Sequence, residues 1–199
     1  MDEQQQIEAA QAGNLGAFND LVGAYESRVY NLCYRMLGSA EPAADATQDT
    51  FLSAYQALGR FRGGSFKSWL LRIATNACYD QLRRRQRRPT VSLDQLMDDE
   101  EHPIDFPSGD RESDPEDRAL QNELSVEIQR ALRGLPEDQR MALTLADIQG
   151  LSYDEIAEIT QTSLGTVKSR ISRARFKMRD SLLGRGELLR SRARPINDG

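Results

Sequence analysis

Between Leu164 and Arg175 the chain carries Thr166, Lys168, Ser169, Arg170, Ser172, Arg173 and Arg175, so that short hydroxyls alternate with cations. Hydroxyls of this size permit close approach, and guanidinium groups fork onto guanine or phosphate, so the mixture suits the edge of a nucleic-acid duplex. A second concentration runs from Arg60 to Arg88, where 9 basic residues accompany a single carboxylate, Asp80, and are interleaved with Phe61, Phe66, Trp69 and Tyr79. Cations hold backbone phosphates while aromatic faces take unstacked bases, which is the chemistry of a single or melted strand. The adjoining loop, Phe61-Arg62-Gly63-Gly64-Ser65-Phe66, has the small residues needed to enclose a flipped base. Phe66 and Trp69 equally suit the core of a helical bundle, and both readings stand at this point.

Helices must position these groups. In Leu151 to Ile171, Ser152 with Glu155 three residues on forms a capping box that starts one helix, Thr160 to Ser163 supplies a turn, and Ser163 or Gly165 caps the next helix. This is a helix-turn-helix. On its second helix Leu164, Val167, Ile171, Ala174 and Met178 recur at three- and four-residue intervals and predict one buried stripe, leaving the polar set outside. Residues Leu164 to Arg194 hold 10 basic side chains against Asp180 and Glu187, a balance suited to a polyanion.

Elsewhere the spacing is also helical. Ala17, Phe18, Leu21, Val22, Tyr25, Val29, Leu32, Cys33 and Met36 predict a helix from about Leu15 to Leu37. A second is expected from about Ala43 to Leu58, with Phe51, Leu52, Tyr55 and Leu58 available for packing, and a third from Phe66 to the arginines before Pro89. Gly63-Gly64 marks the loop between the last two. After Pro115 the pattern predicts helices over Glu116 to Leu132, with Leu120 and Leu124 in its stripe, over Pro136 to Asp147, over Tyr153 to Ile159, and over Leu164 to about Leu183. The expected architecture is all-α: two small helical domains, residues 1–88 and 116–199, joined by a flexible acidic linker over 89–115.

The charge distribution supports that division. The chain of 199 residues has a formal charge of -5, yet residues 89–115 alone hold 9 acidic residues against Arg111, together with Pro89, Pro103, Pro107 and Pro115. Such a segment buries too little apolar surface to offset the entropy of ordering. No stretch approaches the roughly 20 apolar residues of a bilayer span, and the polar start lacks the apolar centre of a signal peptide, so a cytoplasmic location is expected. Cys33, Cys78 and the lone His102 do not make a zinc-binding set, and the cysteines read as ordinary buried thiols; neither metal nor cofactor is expected.

Four segments, in order and register, carry a resemblance: Asp45-Ala46-Thr47-Gln48-Asp49-Thr50-Phe51; Phe61 to Asn76; Leu135-Pro136-Glu137-Asp138-Gln139-Arg140; and Gly165-Thr166-Val167-Lys168-Ser169-Arg170. Together they resemble an extracytoplasmic-function sigma factor of the sigma-70 family, over nearly all of the chain outside the linker and tails. The resemblance implies that Asp45, Gln48, Asp49 and Phe51 dock on the beta-prime clamp helices of core RNA polymerase. It implies that Arg60, Phe61, Arg62, Ser65, Phe66, Lys67, Trp69, Arg72, Asn76, Arg83 and Arg84 read and melt the minus-ten promoter element, with Asn76 a candidate base contact. The second domain would read the minus-thirty-five element with its helix-turn-helix and pack on the beta flap, with Lys168, Ser169, Ser172 and Arg173 as base-edge candidates. An anti-sigma factor covering both polymerase-binding surfaces is a further implied partner. The linker is read either as a segment that enters the cationic interior of polymerase or as a plain solubilising tether.

Two other function classes compete. A repressor or activator that binds DNA unaided would explain Leu151 to Arg175 but would leave Asp45 to Asn76 without a role. A nuclease needs clustered carboxylates or a nucleophile beside a base. The sequence instead concentrates its carboxylates in the linker and gives His102 no obvious partner, so catalysis is not expected.

Overall fold

The computed structural model describes residues 2–87 and 115–192, the side chains of 115–122 and 185–192 excepted. Residues 89–114 of the expected linker, Arg88, His102 and the C-terminal tail past Arg192 lie outside the described residues, as does the Leu120 side chain. All regular elements described are helical, and none is long and apolar enough to cross a membrane.

The first half contains α1 (Glu3–Gln11), α2 (Leu15–Leu37), α3 (Ala40–Ala57), a 3-10 turn (Leu58–Arg60) and α4 (Phe66–Arg87). Helix α1 was not among the elements the apolar spacing predicts. It is held by its cap: the Asp2 carboxylate accepts from the Gln5 amide at 2.8 Å, and the Gln5 carboxamide oxygen accepts from the Asp2 amide at 3.2 Å. Ile7 and Ala10 then anchor its inner face. Helix α3 starts three residues before the expected Ala43, because Pro42 sits inside the first turn, where a missing amide costs nothing.

The second half contains α5 (Pro115–Arg133), α6 (Glu137–Leu143), a π turn (Thr144–Ile148), α7 (Tyr153–Thr160) and α8 (Leu164–Arg192). The single helix expected over Pro136 to Asp147 therefore divides. The Gln149 amide donates to the Thr144 carbonyl, five residues back, at 3.0 Å, and this widened turn swings Gln149 inward until the residue is 4% exposed. Helix α8 continues nine residues past the expected end near Leu183; Gly184 does not stop it. Leu124 and Leu164, expected in buried stripes, are exposed.

Beyond the two helical sets that the sequence predicts, the structure packs them against one another around a continuous core. Leu70, Leu71 and Cys78 of α4 belong to the same buried cluster as Met141, Leu145 and Ile156 of the second half. Cys33 and Cys78 are buried side by side, and the hydrogen bond with Cys33, then burial, raises the Cys78 thiol pKa. Along the seam α4 presents Ser68, Thr75, Tyr79 and Gln86, spaced by seven, four and seven residues and so on one face. Ser68 donates to Glu155 at 2.5 Å, Thr75 meets the Met141 sulfur at 3.6 Å, Tyr79 donates to Asp138 at 3.4 Å, and Gln86 donates to Glu137 at 3.2 Å. On the α2 side the Arg140 guanidinium donates to the Met36 carbonyl at 2.6 Å, and Arg133 donates to the Gly38 carbonyl.

Gly38 ends α2 with φ +76°, and a Cβ there would lie 2.7 Å from the Arg133 guanidinium nitrogen. Left-handed backbone disfavours any side chain, and here the added carbon also displaces a seam contact. Gly38→Ala is therefore expected to lower unfolding free energy by about 1–2 kcal/mol, read by urea titration of the full chain; an unchanged midpoint would contradict this.

Candidate nucleic-acid interface

The helix-turn-helix is built by local hydrogen bonds. Ser152 Oγ accepts from the Glu155 amide at 3.3 Å, and Glu155 accepts from the Ser152 amide at 2.9 Å, closing the capping box. Gln161 ends α7 in the left-handed region, φ +51°, and the Thr162 amide donates to the Ala157 carbonyl at 3.0 Å. Ser163, not Gly165, caps α8: its hydroxyl accepts from the Thr166 amide at 3.2 Å.

Val167, Ile171 and Ala174 bury the inner stripe of α8, with Met178 partly covered. Lys168, Ser172 and Arg173 stand exposed on the outward side, with Thr166 and Ser169 half-buried beside them. The sequence-predicted set divides here. Arg170 lies toward the inner edge and pairs with Asp138 of α6, and Arg175 donates to Asp147 of the π turn at 2.6 and 3.1 Å. Both arginines thus brace α8 against α6 and the π turn. Phe176, which the sequence reading passed over, is 61% exposed on the face of Ser169 and Ser172, with the Arg179 guanidinium 5.5 Å above its ring. Its offsets of seven and four residues from those serines were the available signal.

On α4, Trp69, Arg72, Asn76 and Arg83 follow one another at three-, four- and seven-residue intervals and share a face next to the seam row. Arg72, Asn76, Arg83 and Arg84 are exposed; Lys67 is half-buried and donates to the Gln149 carbonyl at 3.2 Å. In the preceding loop Arg60, Arg62 and Ser65 are exposed. Phe61 and Phe66, by contrast, are 7% and 2% exposed, their rings 5.6 Å apart and each within 5.4 Å of Trp69. They hold the loop from beneath and offer no free stacking face. Trp69 is half-buried, its ring lying against both phenylalanines.

A third surface lies on α3. Asp45, Gln48 and Asp49 are exposed, and the apolar members of their face are Leu52 and Tyr55, 55% and 45% exposed. Phe51, expected at this surface, is half-buried, while Leu52 and Tyr55, expected to pack, point out; Tyr55 keeps only an edge contact with Phe18 at 5.0 Å. The Arg84 guanidinium lies 4.0 Å from the Asp49 carboxylate in an exposed pair, which contributes little.

With this geometry in view, comparisons with known proteins converge. The family described as Sigma-70 region 2 matches residues 21–88, and Sigma-70, region 4 matches residues 125–178. The RNA polymerase sigma-H factor of Pseudomonas aeruginosa is 42% identical over 174 residues, 87% of this chain and 90% of that protein. The ECF RNA polymerase sigma-E factor of Escherichia coli is 41% identical over 179 residues, 88% of this chain and 91% of that protein. Among solved structures, the sigma factor RpoE in complex with the anti-sigma factor NepR from Bartonella quintana aligns at 27% identity and TM-score 0.62, covering 83% of this chain and 96% of that one. CnrH in complex with the cytosolic domain of CnrY aligns at 26% identity and TM-score 0.64, covering 92% and 99%.

The seam and the helix-turn-helix meet at Glu155. Donation from the Ser68 hydroxyl, then from the Ser152 amide and hydroxyl, holds its carboxyl below the ordinary value of 4.5. A depressed carboxylate contributes stability that is fully present above its unfolded value and is lost as pH falls through the lowered folded value. Ser68→Ala removes the largest of these contributions. The stability gap between wild type and Ser68→Ala should be full at pH 7 and shrink below about pH 4.5, in thermal unfolding followed from pH 7 to 3. A gap independent of pH would count against a charged Glu155 at the seam.

Proposed function

The chain belongs to the sigma-70 family of RNA polymerase sigma factors, its relatives including extracytoplasmic-function members, and from that premise we propose how its surfaces divide the work of promoter-specific initiation. Helix α3 docks on core polymerase through Asp45, Gln48, Asp49 and the exposed Leu52. The 60–66 loop and the Arg72, Asn76 and Arg83 row of α4 take the minus-ten element as a melted strand. Helix α8 enters the major groove of the minus-thirty-five element with Lys168, Ser172 and Arg173 leading. Arg170 and Arg175 orient that helix through Asp138 and Asp147.

The observation that carries this reading is the presence of two cationic helices, α4 and α8, one in each half of a single fold. A regulator binding DNA unaided needs only α8. The proposed action is binding and strand opening in the cytoplasm, where promoter and polymerase meet, with no bond-making step assigned to any residue. Residues 89–115, with their nine carboxylates, serve as a tether that DNA repels and cationic protein surface attracts.

The packed arrangement adds a step. The two promoter elements lie roughly 25 base pairs apart, about 85 Å at 3.4 Å per step. A helical unit of this size has a radius of gyration of only about 12 Å, so halves that touch cannot read both elements. Core polymerase must separate them. RpoE was solved with the anti-sigma factor NepR and CnrH with the cytosolic domain of CnrY. A protein partner of that kind, clasping the closed seam, would hold this chain off polymerase.

Run-off transcription with core polymerase on a library randomised across the promoter should enrich two separate sequence blocks. Arg173→Ala should relax preference at one position of the upstream block and cost about tenfold in promoter strength. Asp49→Arg should instead weaken core binding with both preferences intact. DNA binding that is equally tight and sequence-selective without core would favour the unaided regulator.

A further inference from the structure

Helix α1 precedes the matched family segment, which begins at residue 21, and none of the surfaces assigned above includes it. Its last residue nevertheless reaches the loop that follows α3. The Gln11 carboxamide nitrogen donates to the Leu58 carbonyl at 3.0 Å and to the Phe61 carbonyl at 2.9 Å, contacts 47 and 50 residues away in sequence. An NH2 group has two hydrogens, and both are used.

Those two carbonyls bracket the start of the loop. The Leu58 carbonyl also accepts from the Phe61 amide at 3.0 Å, closing the 3-10 turn, and Phe61 is where the chain leaves it in an extended conformation. The far end of the loop is fixed separately, by the buried Phe66 ring and by Ser65, whose hydroxyl accepts from the Ser68 amide at 3.1 Å. Between them Gly63 and Gly64 sit at φ +98° and +87° with nothing within 4 Å of where a Cβ would be. The glycine tip thus meets no packing, and apart from the exposed bond of the Arg62 guanidinium to the Gly59 carbonyl at 3.4 Å its course follows from its two ends. Helix α1 is rigid enough to define one of them, because Ile7 and Ala10 are in the core and the Tyr25 hydroxyl donates to Glu3.

We propose that α1 is the buttress of the minus-ten reading loop and that Gln11 is a positioning residue, setting the direction in which Arg60, Arg62 and Ser65 meet the strand. The inference rests on the assignment of that loop to minus-ten reading. Gln11 is itself exposed, so its side chain contributes to loop direction with little effect on the stability of the whole fold. Losing both hydrogen bonds releases one end of the loop, and each is worth a few-fold in the population of the reading conformation.

The test uses the full chain with core polymerase and three substitutions at one position. Gln11→Glu keeps the shape but cannot donate; Gln11→Leu keeps the bulk without polarity; Gln11→Lys restores a donor. The first two should slow formation of heparin-resistant complexes on duplex promoter by about tenfold and flatten base preference at minus ten. Preference at minus thirty-five, core affinity and melting temperature should be unchanged, and Gln11→Lys should recover most of the rate. A wild-type rate and wild-type minus-ten preference in Gln11→Glu would overturn the proposal, as would a loss that follows melting temperature and that lysine does not rescue. Arg60→Ala combined with Arg62→Ala separates the two levels. If that variant alters minus-ten preference while Gln11→Glu does not, the positioning role alone fails; if neither alters it, the loop assignment fails and the positioning role with it.

Discussion

Gln149 is where the two halves of this molecule are tied. Its carboxamide donates to the Arg28 carbonyl of α2 at 3.1 Å, and its own carbonyl accepts from Lys67 of α4 at 3.2 Å and from Arg28 at 3.5 Å. A buried carboxamide is costly unless its partners are supplied, and the opposite half supplies the Arg28 carbonyl for it. The π turn exists in register with this requirement, since an unbroken α-helix would turn residue 149 elsewhere. Once Gln149 is seated, α6 and α7 lie along α4, and the row of Ser68, Thr75, Tyr79 and Gln86 finds its acceptors in turn.

The hydrogen-bonded row beside the apolar part of this seam suits a contact that, in the proposed function, opens. Hydrogen bonds exchanged with water on separation contribute about 1 kcal/mol each, and interfaces between units of one chain are commonly more polar than obligate ones. Shifting a two-state equilibrium from closed to open by a factor of 10,000 takes about 5.5 kcal/mol of differential binding. A partner with two separated docking surfaces can supply that. Ser68, one turn before Arg72, contacts Glu155 of α7, so in the proposed division of surfaces the strand-reading face of α4 is flanked by the duplex-reading half while the seam is closed.

Much of this was legible in the sequence because it follows from local rules. Three- and four-residue spacing placed α2, α4 and the inner stripe of α8, and the Ser152 and Glu155 pair announced the helix-turn-helix. Illegible features depended on distant partners. The seam row of α4 is polar and reads as solvated until its acceptors, 51 to 87 residues away, are brought against it. Helix α1 has only two buried apolar residues and is defined by a side-chain cap, so periodicity is silent about it. Phe51 and Leu52 are adjacent, and a small difference in helix phase decides which faces out; the resemblance named Phe51 for the docking surface, whereas the structure half-buries it and leaves Leu52 55% exposed. Aromatic rings amid arginines suit base stacking and loop support alike, and it is the burial of Phe61 and Phe66 that favours support.

The proposed function turns on a change of separation, which can be followed directly. Cys33 and Cys78 are both buried, so Asp20→Cys on α2 and Glu158→Cys on α7, both exposed, accept a donor and acceptor dye. The distance between them by energy transfer should be short in the free chain and lengthen when core polymerase is added, with the lengthened state being the one that transcribes. A distance that stays short in transcriptionally active complexes would contradict the account.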